Sequence, residues 1–153
     1  MKFKKKKVTT MFLSLMCLLV AIAAWLSLRT VDIIAIHKDG SHSYVLVKKF
    51  PFTEKGRIKW WLKNKDILED KYKIPSRDFD GSFVVTFWNF GEGYKETDGY
   101  DRLCFVDMPP PLNCIDKDAV LMVRNSKNTG LYFILDEGIY RVKEGKIVEI
   151  KSD

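Results

Sequence analysis

From Val8 to Leu28 the chain carries no charged residue. A helix rises about 1.5 Å per residue, so roughly twenty such residues cross a bilayer's hydrocarbon core of about 30 Å. We read residues 8–28 as one transmembrane helix. Lys2, Lys4, Lys5, Lys6 and Lys7 precede it and only Arg29 follows closely. The positive-inside bias then makes residues 1–7 a cytoplasmic basic tail and sends residues 29–153 to the far side. Trp25, near the far end, suits an interfacial anchor. A cleaved signal peptide has the same basic start, and Ala21-Ile22-Ala23 has the small-x-small form of a cleavage site. The apolar run continues through Trp25-Leu26-Ser27-Leu28, however, beyond an ordinary signal core, which favours a retained signal anchor. Met16 before Cys17 is not the small residue of a lipoprotein site, so Cys17 reads as an inert thiol within the bilayer.

The anchor also explains the charge. The chain of 153 residues has a formal net charge of +6, which by itself invites a nucleic-acid reading. Five of those positive charges precede the apolar run and Arg29 ends it. Removing these six from the 26 basic residues leaves 20, against 20 acidic residues that all lie from Asp32 onward. The exported part is formally neutral, and a nucleic-acid partner loses its main support.

Cys104 and Cys114 form an even pair in that exported part, and an oxidising compartment makes such a pair a disulfide. The segment between them carries Pro109-Pro110-Pro111 and has to bend back. A metal site is disfavoured, because neither His37 nor His42 falls at a ligand spacing from them.

Local patterning then divides the domain. Val31 to His37 reads as a strand, Lys38-Asp39-Gly40-Ser41 as a turn, and Tyr44 to Val47 as the antiparallel return. Thr53 supplies an N-cap for a helix to about Tyr72, with Pro75 forbidding continuation. At 100° per residue, Ile58, Trp61, Leu62, Leu68 and Tyr72 share its core face. Ser82 to Phe90 is a strand rich in β-branched and aromatic residues, apolar on both faces, as expected for a central strand. Gly91 to Tyr100 reads as a loop and Arg102 to Asp107 as a short strand. Ala119 to Arg124, Leu131 to Leu135, Ile139 to Val142 and Lys146 to Ile150 read as a four-stranded meander. The expected class is α+β: one N-terminal transmembrane helix, then a small, mainly antiparallel β domain with one amphipathic helix.

Chemistry is harder to find. His37 and His42 flank the first turn closely enough to pair, although ordinary hairpin surface explains them as well. Asp78, Asp80, Asp98 and Asp101 match no calcium loop and read as turn residues. Gly91-Glu92-Gly93 is too short for a phosphate loop. We expect no enzyme, no cofactor and no metal. A hydrolase built on the aspartates is the weakest alternative.

Gly56-Arg57-Ile58-Lys59-Trp60-Trp61-Leu62-Lys63-Asn64-Lys65, Tyr100-Asp101-Arg102-Leu103-Cys104-Phe105 and Asn125-Ser126-Lys127-Asn128-Thr129-Gly130 before an aromatic strand carry a resemblance. On these segments the chain resembles the enterobacterial membrane proteins known as domain of unknown function 943, over nearly its whole length. The resemblance implies a small envelope protein of a Gram-negative bacterium, hence an inner-membrane anchor and a periplasmic domain. It supplies no catalytic residues.

The expected function is a membrane-tethered periplasmic interaction module for an unknown envelope protein, in the manner of an immunity protein or an accessory of an envelope complex. Trp60 and Ile67, opposite the helix's core stripe, are the candidate partner surface. Lys48, Lys49, Lys55, Arg57 and Lys59 are a candidate membrane-proximal basic patch, since an antiparallel return brings the chain back to its starting height. The alternative is a small-ligand or lipid-binding domain that uses Phe83, Phe87, Trp88 and Phe90.

Overall fold

The computed structural model describes residues 2–97, 99 and 101–151. Its contacts divide the chain into two compact units, residues 1–30 and 31–153.

The first unit is helix α1, Lys2–Ser27. Among the described residues it is the one helix long and apolar enough to cross a membrane. The helix begins earlier than the apolar run does. Lysine is a good helix former, so the basic tail forms the first turns rather than a separate coil. The Thr9 and Thr10 hydroxyls donate to the carbonyls of Lys5 and Lys6, both at 2.8 Å, so neither is an unsatisfied donor in an apolar segment.

The second unit opens with strands β1, Asp32–Asp39, and β2, His42–Lys48. Their turn holds Gly40 at φ 57°, where a side chain would be strained. Helix α2, Glu54–Tyr72, follows. The Thr53 hydroxyl accepts from Gly56 N–H at 3.0 Å and caps its start. Lys73, left-handed at φ 56°, ends it, and the ammonium of Lys38 in β1 donates to the carbonyls of Tyr72 and Lys73, both at 3.0 Å. A cation here suits the negative end of the helix dipole.

Strand β3, Phe83–Asn89, then pairs with β2 in parallel, His42 opposite Val84 through Val47 opposite Asn89. Parallel neighbours need a long crossover, and α2 is that crossover. This single parallel pair departs from an otherwise antiparallel sheet. β4, Arg102–Cys104, and β5, Cys114–Asp116, form a separate small sheet. The chain closes with the meander β6, Ala119–Ser126, β7, Gly130–Ile134, β8, Ile139–Lys143, and β9, Lys146–Ile150. The large sheet has the order β1-β2-β3-β6-β7-β8-β9. The class is α+β, as expected.

Both sheet faces are covered around β3. On one side Phe83, Val85 and Phe87 pack beneath the buried Ile58, Trp61 and Leu68 of α2, with Leu62 and Tyr72 partly buried beside them. Glu54 fastens the start of the helix: its carboxylate accepts from Glu137 N–H at 2.8 Å and from the Tyr140 hydroxyl. The bond to Glu54, with burial second, pushes the Tyr140 phenol up to about 12. On the other side Leu46, Phe105 and Ile115 form a smaller buried cluster, with Tyr44, Trp88, Phe90 and Tyr94 against it.

Candidate functional site

The second cluster holds the most organised polar chemistry in the molecule. His37 lies in β1 opposite Tyr44 of β2, so alternation turns both toward the β4–β5 hairpin. The imidazole is only 6% exposed. Its Nδ1 lies 2.8 and 2.9 Å from the two carboxylate oxygens of Asp107, and its Nε2 lies 2.8 Å from the Tyr94 hydroxyl. Phe105 stacks on the ring at 3.9 Å between centroids and 12° between planes. The Asp107 carboxylate accepts from Nδ1–H, and Nε2 shares the other hydrogen bond with the Tyr94 hydroxyl. Burial, then the Asp107 carboxylate, pushes the Tyr94 phenol up, which keeps that hydroxyl a donor. The order Asp, His, hydroxyl is that of a hydrolase relay. Both ring nitrogens are bonded and Phe105 covers one face, so the arrangement also fastens β1 to two loops.

The fastened loop is the one that the cysteines close. Cys104 and Cys114 are opposed in the β4–β5 register and joined by a disulfide. Phe105 N–H donates to the Asn113 carbonyl at 2.8 Å, and the Asn113 amide donates back to the Phe105 carbonyl at 3.0 Å. Cys114 also exchanges backbone hydrogen bonds with Lys95, at 2.7 and 3.1 Å. Around the hairpin, Lys95 reaches Asp116 at 2.6 Å and Glu92 at 3.0 Å, and Arg102 Nε reaches Asp116 at 3.2 Å. The Lys95 bond, then the Arg102 bond, holds the Asp116 carboxyl below its ordinary range. Inside the loop Phe105, Asp107 and Met108 face the sheet. Outside, Val106 is 94% and Leu112 54% exposed, with Pro109, Pro110 and Pro111 exposed between them. The result is a loop held at its base and its inner face that turns Val106, Leu112 and the prolines to solvent, with the Asp107 side chain partly exposed beside them.

The other expected residues are distributed differently. His37 and His42 do not pair: His42 Nε2 lies 2.9 Å from the Thr86 hydroxyl and its ring stacks on Tyr44 at 4.2 Å. Trp60 and Ile67 do not form one exposed patch. Trp60 packs edge-on against Phe50 and Phe87, at 5.2 and 5.6 Å, because the turn after β2 folds Phe50 over that side of the helix, whereas Ile67 is 59% exposed. In the basic group Lys48, Lys55 and Lys59 are exposed. Lys49 pairs with Asp32 at 3.1 Å, and the half-buried Arg57 donates to the carbonyls of Pro51 at 2.8 Å and Val120 at 3.0 Å. Arg57 therefore ties the approach of α2 to β6.

Asp80 accepts from Ser82 in the turn before β3, and Asp101 pairs with Lys117, so these carboxylates are not gathered. Asp98 and Tyr100 lie outside the described residues. Among the described residues no group of three His, Cys, Asp or Glu side chains is placed to hold a metal ion. Of the aromatic residues of β3 and its end, Phe83 and Phe87 are committed beneath α2, and Trp88 and Phe90 beneath the hairpin. The fastening went unseen in the sequence because its members come from three separate segments. The one local signal was a histidine ending the otherwise apolar run Ile33-Ile34-Ala35-Ile36.

No curated protein and no solved structure matches the chain. Residues 2–151 match the family described as enterobacterial putative membrane protein (DUF943). That match spans nearly the whole chain, α1 and the fastened hairpin included, and the chain belongs to this family of membrane proteins.

Proposed function

We propose that the protein is a single-pass inner-membrane protein whose residues 31–153 stand in the periplasm as a protein-interaction module, with the Cys104–Cys114 loop as its contact surface. The lysines before Val8 support the orientation through the positive-inside bias. The disulfide supports it separately, because the cytoplasm keeps such pairs reduced. The observation that carries the module is the loop's division of labour: Phe105 and Asp107 are spent on holding it, while Val106, Leu112 and the prolines are held out. A surface ordered before binding avoids the entropy of ordering it on contact. A largely apolar tip fits an apolar groove on an envelope protein, and both toxin neutralisation and service to an envelope complex are tasks of that kind. The domain's role in this reading is binding rather than catalysis. The exposed Lys55 and Lys59, and Lys48 whose ammonium lies over the Phe90 ring at 5.5 Å, would face anionic headgroups in this reading.

Two measurements test the proposal. A reporter active only in the periplasm, fused after Asp153, should be active, and activity of only a cytoplasmic reporter would overturn the orientation. Photo-crosslinkers placed at Val106 and Leu112 in intact cells should capture one discrete envelope protein, and Val106→Asp with Leu112→Asp should abolish its association with an unsubstituted domain fold. Undiminished association would remove the loop from the interface.

A further inference from the structure

The large sheet ends on two strands, β1 and β9, and they are built differently. β1 carries a register irregularity between Ile33 and Ala35 and has Asp32 at one end and Lys38 and Asp39 at the other. Bulges and charges are the usual ways to keep an edge from pairing with another strand. β9 also carries charges, Lys146 and Glu149, but it has no bulge: all five residues, Lys146 to Ile150, pair in regular register with β8. Ile147 lies opposite Val142 and packs on the main core, which places Ile147 and Glu149 on the α2 side of the sheet. Lys146, Val148 and Ile150 lie on the other side. Exposed apolar residues gather at this end, with Ile139 and Val148 each 38% and Val142 39% exposed.

We propose that β9 is a self-pairing edge, through which two copies of this chain join antiparallel about a two-fold axis at Val148. An antiparallel pair related by a two-fold has its axis normal to the sheet, so residues facing the same side must oppose each other. With the axis at Val148, Val148 meets its own copy, Lys146 meets Ile150, and Ile147 meets Glu149. All five strand residues are paired, and no like charges oppose. An axis at Lys146 or Glu149 sets like charges face to face, which is unfavourable. An axis at Ile147 runs Glu149 into Gly145, a turn residue at φ 76°. An axis at Ile150 leaves only that residue paired within the strand, so Val148 is the one axis that pairs all five residues, and it opposes no like charges. Five residue pairs make a small interface, and its association is weak in dilute solution. Confinement of both copies to one membrane raises their effective concentration and makes such a contact productive. The Cys104–Cys114 loop lies over β1 to β3, at the other end of the strand order, so pairing leaves it open to a partner and stands or falls independently of that role.

The test uses the full chain in its own membrane with Cys17→Ser. Under mild oxidation Val148→Cys should give a covalent dimer, and Lys143→Cys, on the interior strand β8, should not. Co-expression of a Lys146→Cys chain with an Ile150→Cys chain should give the mixed dimer in clear excess over either chain alone. Val148→Asp sets carboxylates against each other at the axis and should abolish the mixed dimer, while circular dichroism shows the fold retained. A monomeric Val148→Cys chain, or equal yields at positions 143, 146, 148 and 150, overturns the proposal. Capture of another protein at Val148 without the homodimer overturns it as well.

Discussion

The two faces of the sheet are closed by different physics. The α2 side is sealed by volume: Phe87 is fully buried and touches Phe50, Trp60 and Trp61, and Ile58, Leu68, Val85 and Phe133 are buried around it. The buried cluster on the hairpin side has three members, and it is completed by a disulfide and a histidine with both nitrogens bonded. Small domains have little apolar area to spare for a second core, and covalent or polar fastenings replace what area cannot supply. The difference teaches where to look for function. The volume-sealed face leaves few side chains to display, whereas a face closed by fastenings can turn the rest of its loop outward.

The largest effect should come from the volume-sealed face. Phe87→Ala removes a ring surrounded on all sides, and such truncations cost about 3–5 kcal/mol. Urea unfolding should show that loss over the whole transition of the domain. A smaller loss than that from opening the disulfide would overturn the ranking of the two faces. Replacing Cys104 and Cys114 together by alanine should cost about 2–3 kcal/mol, the range expected for closing a loop of this length. Hydrogen exchange should find the cost concentrated between residues 102 and 116, with α2 and β3 still protected. Collapse of protection in α2 would mean that the two faces are a single cooperative unit.

The histidine fastening should come next. Asp107→Asn exchanges a charge-assisted bond for a neutral one, and His37→Leu leaves Tyr94 without its acceptor. Each should cost about 1–3 kcal/mol, as the loss of a buried hydrogen-bond partner does. Both should raise the mobility of Val106 without reaching Phe87, readable as faster exchange at the loop's amides. An unchanged loop would show that the disulfide alone holds it.

What sequence reasoning could reach follows the same division. The anchor, the cap at Thr53, the stripe Ile58-Trp61-Leu68 and the four strands of the meander are all written in neighbouring residues, because periodicity and turn chemistry are local. The disulfide was reachable because cysteines are few and the expected export of the domain favours their pairing. Trp60 was misplaced for a definite reason: the helical wheel shows which residues share a face, but not that Phe50, beyond the strand end, folds over that face. The parallel pairing of β2 and β3 was equally hidden, since a helix between two strands fits either direction. The fastening of His37 was out of reach altogether, because its partners lie 57 and 70 residues away. No spacing rule joins a strand histidine to a loop tyrosine and a loop aspartate.

The smallest expected effect belongs to the other histidine on the hairpin side. His42 is partly buried with its Nε2 on the Thr86 hydroxyl, and Thr86 is itself fully buried. Burial lowers the His42 pKa from the ordinary 6.5, the Arg124 charge lowers it further, and Asp39 opposes them without reversing the direction. The folded chain therefore binds this proton less readily than the unfolded chain. Above about 6.5 both states are neutral at this position and it contributes no pH dependence. As the pH falls from there towards the lower folded value, the unfolded state takes up the proton first, and stability falls with it. His42→Gln keeps a polar side chain beside Thr86 and removes the titration. Urea midpoints measured at pH 7.5 and pH 5.5 should therefore differ less in the variant than in the unsubstituted chain. Equal pH slopes for His42→Gln and the unsubstituted chain would show that the folded domain takes up the proton at position 42 as readily as the unfolded chain does.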